Sequence, residues 1–402
     1  MKLKGTIILT TISLLERLSY YGVRAILVLY LTDPNFFNIS SDTTLEFYGY
    51  WTSALVIAAI PFSLLTDKII GQNRSIIIGG ILTLIGYLLL IVENQNILIP
   101  SIILILAGTS FVKPSTTILI GRQFKKENKN RTLAYMIFFM GINIGAFLGV
   151  ISIGYVGEIY EWKYGFIIAA TMTLLYLILA FIFINNIEEI ETNHFESNNN
   201  KLTLSKSTLI LPLLILLNVV FWKNHETEIS LIIMNLMESE NQTFFGYEIL
   251  KSMIHSFSSI ITIPLTIILF IYWYKKGVTK FFKAISISVL LLILAIFSTE
   301  IFHHLQPNYL FELSLLPLLL YAFSEVLISP ILTSYVTRIS DTSYSNTIYS
   351  AYILFTYIVG AGFVYLLQNE YQPYISIGSL ALASLGVFIF KKKLDKLTYE
   401  IE

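Results

Sequence analysis

Twelve long apolar segments dominate the sequence, and each has about the length that a membrane-spanning helix requires. A hydrocarbon layer roughly 30 Å thick is crossed by about 20 mostly apolar residues in α-helical conformation. Because lipid offers no hydrogen bonds, a segment of this length must satisfy its own backbone groups as a helix. The sequence therefore predicts an all-α integral membrane protein with helices near 6–31, 45–66, 75–93, 97–121, 131–155, 163–184, 207–236, 244–274, 281–302, 308–337, 345–368 and 373–391.

A polar segment divides these helices into two equal sets. Residues 185–206 are rich in Asn and Glu, whereas hydrophobic residues make up 55% of the whole chain and charged residues 13%. Soluble domains carry roughly 25% charged residues, so this composition suits lipid rather than water. We predict a six-helix bundle over 1–184, a cytoplasmic linker over 185–206 and a second six-helix bundle over 207–402, with a central cavity between the bundles.

The basic residues predict the orientation in the membrane, because basic loops resist translocation. With the N-terminus inside, twenty Lys and Arg residues fall on the cytoplasmic side, and Lys163 and Lys251 fall outside. Both termini are therefore predicted to be cytoplasmic, in a multi-pass protein of the cell (inner) membrane. The first apolar segment carries charges and shows no small-residue cleavage site, so we interpret it as a spanning helix and not as a signal peptide.

Composition also disfavours several function classes. Acidic and basic residues balance at 26 each, which gives no reason to expect a nucleic-acid partner. The sequence has no cysteine, and its five histidines lack the spacing of a zinc site. Neither a phosphate-binding loop of the ATPase type nor a catalytic constellation is present in the sequence. We therefore predict no enzyme activity, no cofactor, no metal site and no use of ATP.

Four basic and four acidic residues inside the predicted helices stand out, because an ionised side chain is costly there. At the bilayer centre each costs about 3 kcal/mol on insertion scales, so these residues are expected to face one another or a water-filled cavity. Their signs cancel, four against four, and at about 1.5 Å per residue several reach the middle third of their helices. A shared central site explains this arrangement. The residues are Glu16, Arg17, Arg24, Lys113, Lys223, Glu226, Glu228 and Glu325.

The first helix carries the densest set of these charges. Arg17 and Arg24 are seven residues apart, nearly two turns, so the two guanidinium groups share one face. Each offers a forked pair of donors that matches a carboxylate, which makes the pair a strong carboxylate site. Alternatively, Arg17 neutralises Glu16 and locks two helices, although this leaves Arg24 unexplained. Tyr20 and Tyr21 follow Glu16 and Arg17 by four residues each.

Five short segments carry more specific motifs. They read ERLSYYGVR at 16–24, DKIIGQNR at 67–74, GTSFVKP at 108–114, FFMGINIGA at 138–146 and SEVLISP at 324–330. In order, they resemble the ExxERFxYYGxR signature, the gating loop between helices 2 and 3, the helix 4 motif ending in Lys-Pro, FYxxINxGS on helix 5, and the Gly-Glu…Ser-Pro element of helix 10. The gating loop is a motif of the whole major facilitator superfamily. The other four are signatures of its proton-coupled oligopeptide transporters, which the chain therefore resembles.

The resemblance implies how a substrate is bound. In that family, two arginines of helix 1 and the lysine of helix 4 hold the C-terminal carboxylate of a peptide, which maps to Arg17, Arg24 and Lys113. The asparagine of helix 5 and the glutamate of helix 10 hold its amino end, which maps to Asn143 and Glu325. An alternative for Asn143 is a polar contact in helix packing. An alternative for Glu325 is a structural partner of a basic residue, although none lies near it on its own helix.

The remaining assignments concern further contacts, gating and proton coupling. Asp67 and Arg74 are assigned to a gate, with Asp67 facing Arg74 or a neighbouring helix end on the cytoplasmic side. Glu325 is expected to be the principal proton carrier. Tyr20, Tyr21 and His255 are also assigned to substrate binding. Glu16 and Glu226 are assigned to proton coupling, and Glu16 is expected mainly to hold Arg17 or Lys113 in place.

Several positions depart from the family pattern. Ser13 stands where the first glutamate of the helix 1 signature is expected, so a protonatable group is missing. Phe139 and Ala146 replace the tyrosine and serine of the helix 5 signature. His255 aligns with a family asparagine, and Thr227 takes the place of a glutamine. These departures leave the substrate range and the coupling stoichiometry open.

The sequence thus predicts a symporter that imports di- and tripeptides by alternating access and is driven by a proton gradient. We expect it to be monomeric and surrounded by membrane lipids. One alternative is a transporter of the same fold for nitrate or a carboxylate-like anion, with or without proton coupling. Another is a non-transporting sensor or assembly subunit.

Overall fold

The computed structural model of the chain describes residues 3–125, 130–187, 211–238, 243–244, 247–248, 257–305, 310–340, 343–367 and 378–380. The α-helices within these ranges are α1 (Leu3–Thr32), α2 (Ser41–Leu65), α3 (Gln72–Leu90), α4 (Gln95–Arg122), α5 (Asn130–Gly149), α6 (Tyr155–Ile159), α7 (Trp162–Phe183), α8 (Leu211–Glu238), α9 (Phe257–Lys276), α10 (Phe281–Leu305), α11 (Leu310–Ile339) and α12 (Ser345–Leu367).

The prediction of long apolar helices is confirmed where the chain is described. Eleven of the twelve predicted segments coincide with these helices, and eight helical spans are long and apolar enough to cross a membrane. The last predicted segment, 373–391, lies outside the described residues apart from helical residues 378–380. Residues 188–206 of the predicted linker (185–206) also lie outside them, so the division into two six-helix halves stays a prediction.

The predicted start of the eighth segment at residue 244 is wrong. Strand β1 (Thr243–Phe244) pairs antiparallel with β2 (Tyr247–Glu248), and the described residues of α9 are Phe257–Lys276. The β-branched Thr243 and the aromatic Phe244 and Tyr247 suit strands. Hydropathy alone does not separate such a hairpin from the beginning of an apolar helix.

Two helical spans contain a π-helical turn that the sequence did not predict. One turn (Thr66–Ile70) extends α2 and ends at Gly71, whose φ of 81° is readily adopted only by glycine. The other turn (Val150–Gly154) joins α5 to α6, so that helix runs on from Asn130 to Ile159. The first π turn carries Asp67, one of the predicted gating residues.

The described chain forms two compact units. The first comprises 1–125, 137–198 and 340–351, and the second comprises 126–136, 199–339 and 352–402. The beginning of α12 therefore groups with the first unit, and the beginning of α5 groups with the second.

Glycines allow the closest helix contacts of the first unit. A Cβ atom added to Gly145 of α5 would lie 2.3 Å from the carbonyl oxygen of Leu14 of α1, and one added to Gly149 would lie 2.2 Å from that of Leu18. The backbones thus touch without a side chain between them, as small residues allow in membrane helices. We call this contact the α1–α5 seam. It holds the charged residues of α1 beside α5.

In the second unit, α11 packs against α8, α9 and α10. The Oγ atom of Ser288 in α10 donates a hydrogen bond to the carbonyl oxygen of Ser324, at 2.8 Å. This contact fixes the turn of α11 that carries Glu325.

Candidate functional site

Glu16 and Arg17 form a buried ion pair on α1. Arg17 Nε lies 2.5 Å from Glu16 Oε2, and Arg17 Nη2 donates to Glu16 Oε1 at 3.1 Å. The two residues are 4% and 5% exposed, so the pair is shielded from water. Because one carboxylate engages two nitrogens of the same guanidinium, Glu16 fixes the orientation of Arg17.

Aromatic rings surround the two arginines of α1. The guanidinium carbon of Arg17 lies 5.3 Å from the ring centroid of Tyr20 and 6.0 Å from that of Tyr21. Arg24 Nε donates a hydrogen bond to the hydroxyl of Tyr48 on α2, and its guanidinium carbon lies 5.3 Å from the same ring. Tyr48 is a contact that the sequence analysis missed, because nothing in the spacing of α2 singled it out.

Lys113 joins this group from α4. Its side chain is exposed, and its charge interacts with those of Glu16, Arg17 and Arg24. The next residue, Pro114, has no N–H group to contribute to the helix. The α4 backbone is stabilised at this point by hydroxyl groups, since Thr117 Oγ1 donates to the Lys113 carbonyl at 2.8 Å.

Asn143 and Ser13 also lie in the first unit. Asn143 is half-buried, and its Nδ2 donates to the carbonyl oxygen of Phe139 on the same helix, at 3.0 Å. This bond leaves the Asn143 carbonyl oxygen as an acceptor for another group. Ser13 is buried, and its hydroxyl has no hydrogen-bond partner among the described residues.

Glu325 meets a histidine from another helix. His225 Nε2 of α8 lies 3.7 Å from Glu325 Oε2 of α11, and both side chains are largely buried. Sequence spacing places a basic residue near Glu325 only within the same helix, so His225 was not predicted as its partner. The available signal was the presence of a histidine on an apolar helix, next to the predicted Glu226.

The carboxylate of Asp67 caps the N-terminus of α12. Its Oδ1 accepts from the backbone N–H and the Nδ2 of Asn346, at 3.2 and 2.7 Å. Its Oδ2 accepts from the backbone N–H and the Oγ1 of Thr347, at 2.8 and 2.7 Å. Asp67 was predicted to face either Arg74 or a neighbouring helix end. The hydrogen bonds described for its carboxylate go to the helix end. Arg74 is exposed.

Within the first unit, further hydrogen bonds join the beginning of α12 to α4 and α2. Within the second unit, another joins the beginning of α5 to α11. Arg122 Nη2 donates to Ser345 Oγ at 3.1 Å, and the hydroxyls of Ser63 and Ser350 are 2.7 Å apart. In the second unit, Arg131 Nη2 donates to Thr337 Oγ1 at 3.2 Å. The sequence analysis assigned no role to these residues, because serine and threonine are common in membrane helices.

Two predicted site residues have no described side chain. Glu226 lies on α8, where only its helical backbone is described, and His255 lies outside the described residues. Within the described ranges, no group of three or more metal-ligating residues occurs.

The sequence matches the profile of the Major Facilitator Superfamily over residues 9–364. The chain belongs to the major facilitator superfamily. Members of this superfamily are transporters and not enzymes, and the all-helical membrane fold predicted from the sequence is confirmed.

Curated relatives of this superfamily member include peptide transporters. The uncharacterised transporter YclF of Bacillus subtilis is 33% identical over 168 residues, 41% of the chain. A di-/tripeptide transporter of Lactococcus lactis is 29% identical over 173 residues, 42% of the chain. These alignments span about a third of the relatives' own lengths, 34% and 35%. The predicted resemblance to the oligopeptide transporters is thereby confirmed.

Solved structures of the same fold include the peptide transporter POT. Its complex with sulfate superposes with a TM-score of 0.71 at 19% identity, covering 98% of this superfamily member and 95% of the neighbour. A POT family transporter in complex with a thioalcohol-conjugated peptide gives a TM-score of 0.73 at 18% identity, covering 97% and 96%. At this identity the likeness concerns the fold.

Proposed function

We propose that the chain is a proton-coupled symporter that imports di- and tripeptides by alternating access across the cell (inner) membrane, with both termini cytoplasmic. The observation that carries this proposal is the buried Glu16–Arg17 pair, beside Arg24 and Lys113 on α1 and α4, which are 30 and 28 residues long. Glu16 offsets one positive charge, and two remain. Such an excess suits an anionic group of a substrate. The relatives named di-/tripeptide transporters support a peptide as the source of that group.

In this proposal the carboxylate end of the peptide binds Arg17, Arg24 and Lys113. Glu16 holds the Arg17 guanidinium by one edge, and Tyr48 bonds Nε of Arg24. The guanidinium groups are thus pre-oriented, so less side-chain entropy is lost when a carboxylate binds. Tyr20 and Tyr21 line the same part of α1 and provide apolar contact area with a polar hydroxyl.

The amino end of the peptide binds Asn143 and Glu325 in this proposal. The Asn143 carbonyl oxygen accepts a hydrogen bond from the ammonium group, since the amide nitrogen already donates to Phe139. Glu325 supplies the negative charge and serves as the principal proton carrier, and no cofactor is required. Opposite charges at the two ends match a zwitterion and reject substrates that lack either end.

Uptake into liposomes tests this proposal. The purified chain should accumulate a radiolabelled dipeptide under an inward proton gradient, and a proton ionophore should abolish the accumulation. A thermal-shift screen with a dipeptide library should reveal ligands, because a ligand that binds only the folded state raises the apparent Tm. Failure of every dipeptide in both assays would refute peptide transport.

Ser13 supports a second candidate, a transporter of another small anion such as nitrate or a carboxylate. Without the usual glutamate, α1 carries one negative charge less, which favours anions that have no ammonium group. Competition separates the two candidates. If unlabelled dipeptides leave nitrate or carboxylate uptake unchanged while that uptake is saturable, the second candidate replaces the first.

A further inference from the structure

His225 is held in one orientation by the groups around its ring. The imidazole stacks on Phe221 with ring centroids 5.7 Å apart, and it meets Trp222 and Tyr321 edge-on at 5.3 and 5.7 Å. It also forms a hydrogen bond with the backbone of Tyr321, one turn before Glu325 on α11. With His225 only 4% exposed, neither the ring nor its proton is freely accessible to water.

This anchoring leaves Nε2 directed at Glu325. Nε2 is buried and has no hydrogen-bond partner among the described residues, so the bond to the Tyr321 carbonyl uses Nδ1. In the neutral ring the proton then resides on Nδ1, and Nε2 is an acceptor. An ionised Glu325 would therefore place two acceptors face to face. A single proton converts that arrangement into a hydrogen bond.

The 3.7 Å separation between Nε2 and Oε2 is close to what such a bond requires. A hydrogen bond of about 2.7–3.2 Å is reached by a side-chain movement of roughly 1 Å or less. From α11, the titratable groups that face His225 are Glu325 and Tyr321. On α8 itself the neighbouring charged residues are Lys223 and Glu226. The Lys223 ammonium lies 5.3 Å from the Tyr357 ring of α12. The described contacts of the imidazole include no charged group from α10.

We propose that His225 and Glu325 form a proton-binding pair in which one proton moves between Glu325 Oε2 and His225 Nε2. The role of this pair in transport rests on the function proposed above. A peptide ammonium can bind the Glu325 carboxylate only after the carboxyl has lost its proton. In the pair, the O–H bond of Glu325 breaks and an N–H bond forms at His225 Nε2, so the proton remains on the protein while the peptide binds.

His225 thereby determines whether proton and peptide travel together. With the histidine present, both are bound at once and leave on the same side of the membrane. Without it, the ammonium would expel the proton, and binding would exchange one cation for the other. His225 is thus a positioning and proton-accepting residue for coupling. It is not needed to hold the peptide.

Calorimetry in two buffers of different ionisation enthalpy counts the protons released when a dipeptide binds. The wild-type chain is expected to release close to none near pH 7, and His225→Gln is expected to release about one proton per peptide. Glutamine can still donate to the Tyr321 carbonyl but cannot take up the proton. Asn218→Ser, which weakens another buried polar contact of α8, the bond to Thr356, is the matched control and should behave as wild type. Equal proton release by wild type and His225→Gln would overturn the inference, as would the same change in Asn218→Ser.

A second measurement needs no peptide. Infrared difference spectra recorded against pH follow the carboxyl band that Glu325→Gln removes, and the midpoint of this band should differ by about one pH unit or more between wild type and His225→Gln. If His225→Gln does not fold, His225→Phe preserves the aromatic stack and serves instead. If the wild type binds no dipeptide, the proposed function fails, and the infrared result alone decides the pair: an unchanged midpoint overturns it, and a shift supports it.

Discussion

Arg24 is oriented by a single phenol. Its Nε atom bonds the Tyr48 hydroxyl, which leaves the two terminal nitrogens as the edge that can face a carboxylate. A lysine at this position would keep the charge but would offer neither the fork nor the bond to Tyr48 in the same geometry.

Arg24→Lys should therefore weaken dipeptide binding about tenfold to a hundredfold, the equivalent of a charged hydrogen bond of about 1.5–3 kcal/mol. Titration calorimetry measures the Kd. Tyr48→Phe keeps the ring and removes only the hydroxyl, so its loss should be smaller. A lysine variant that binds as tightly as the wild type would remove Arg24 from the carboxylate site.

Glu325 can be tested separately from substrate binding. Glu325→Gln cannot carry a proton, so accumulation of dipeptide under an inward proton gradient should be lost, while exchange of substrate at equal pH on both sides should persist in part. Both fluxes are measured in the same liposomes. If the variant still accumulates peptide, Glu325 is not the proton carrier. If the wild type never accumulates peptide, transport is uncoupled.

The cap that Asp67 forms on α12 joins two distant elements, the π turn after α2 and the first turn of α12. Four hydrogen bonds from the first turn of a helix converge on one carboxylate, where the helix dipole also favours negative charge. The α12 end is on the side of the membrane predicted to be cytoplasmic. The cap therefore stabilises whichever state keeps these two elements together.

Asp67→Ala should release the start of α12. A lost cap costs about 1–2 kcal/mol, so the opened state should become roughly five to thirty times more populated. The chain has no cysteine, so Ser350→Cys provides a unique label at a buried position beside Ser63. Maleimide labelling of this cysteine should accelerate in the Asp67→Ala background. Arg74→Ala is the matched control, and equal acceleration by both variants would show that the helix cap is not the cause.

The α1–α5 seam makes a second prediction about elements. Gly145→Ala would place a methyl group 2.3 Å from the Leu14 carbonyl oxygen, so α5 must move away from α1. Overpacking of this kind costs about 1–3 kcal/mol, and the Tm in detergent should fall. Gly49→Ala on α2, where a Cβ meets nothing within 4 Å, is the control and should leave the Tm unchanged. Equal Tm values for the two variants would contradict the close contact.

The need for a free carboxylate on the substrate can be tested with the whole transporter. A dipeptide amidated at its C-terminus lacks the carboxylate, so the cluster of Arg17, Arg24 and Lys113 gains nothing by binding it. Its affinity should be at least about tenfold below that of the free dipeptide. Competition for uptake of a labelled peptide provides the measurement. Equal competition by the two compounds would place the carboxylate site elsewhere.

Most of the helical architecture could be predicted from the sequence, because the requirement to satisfy the backbone in lipid applies to every apolar segment independently. The hairpin at Thr243–Glu248 could not, since a short apolar run is compatible with either structure. The ion pair of Glu16 and Arg17 was one of two alternatives that the sequence left open. The pair of His225 and Glu325 could not be predicted, because it depends on the relative rotation of α8 and α11, and about 100 residues separate them in sequence. Asp67 was predicted to face either Arg74 or a neighbouring helix end, and which of the two it meets depended on tertiary packing.

If the chain transports peptides as proposed above, the α1–α5 seam limits the length of peptide that it binds. Where two backbones are in contact without intervening side chains, their separation cannot adjust to a cargo. Arg17 and Asn143 stand on these two helices, so the spacing between a carboxylate held by one and an amino group held by the other is constant. A peptide longer than this distance would have to bend its backbone between the two ends or lose one of the two contacts. In the proposed function, this fixed distance would select peptides by backbone length and not by the side chains that they carry.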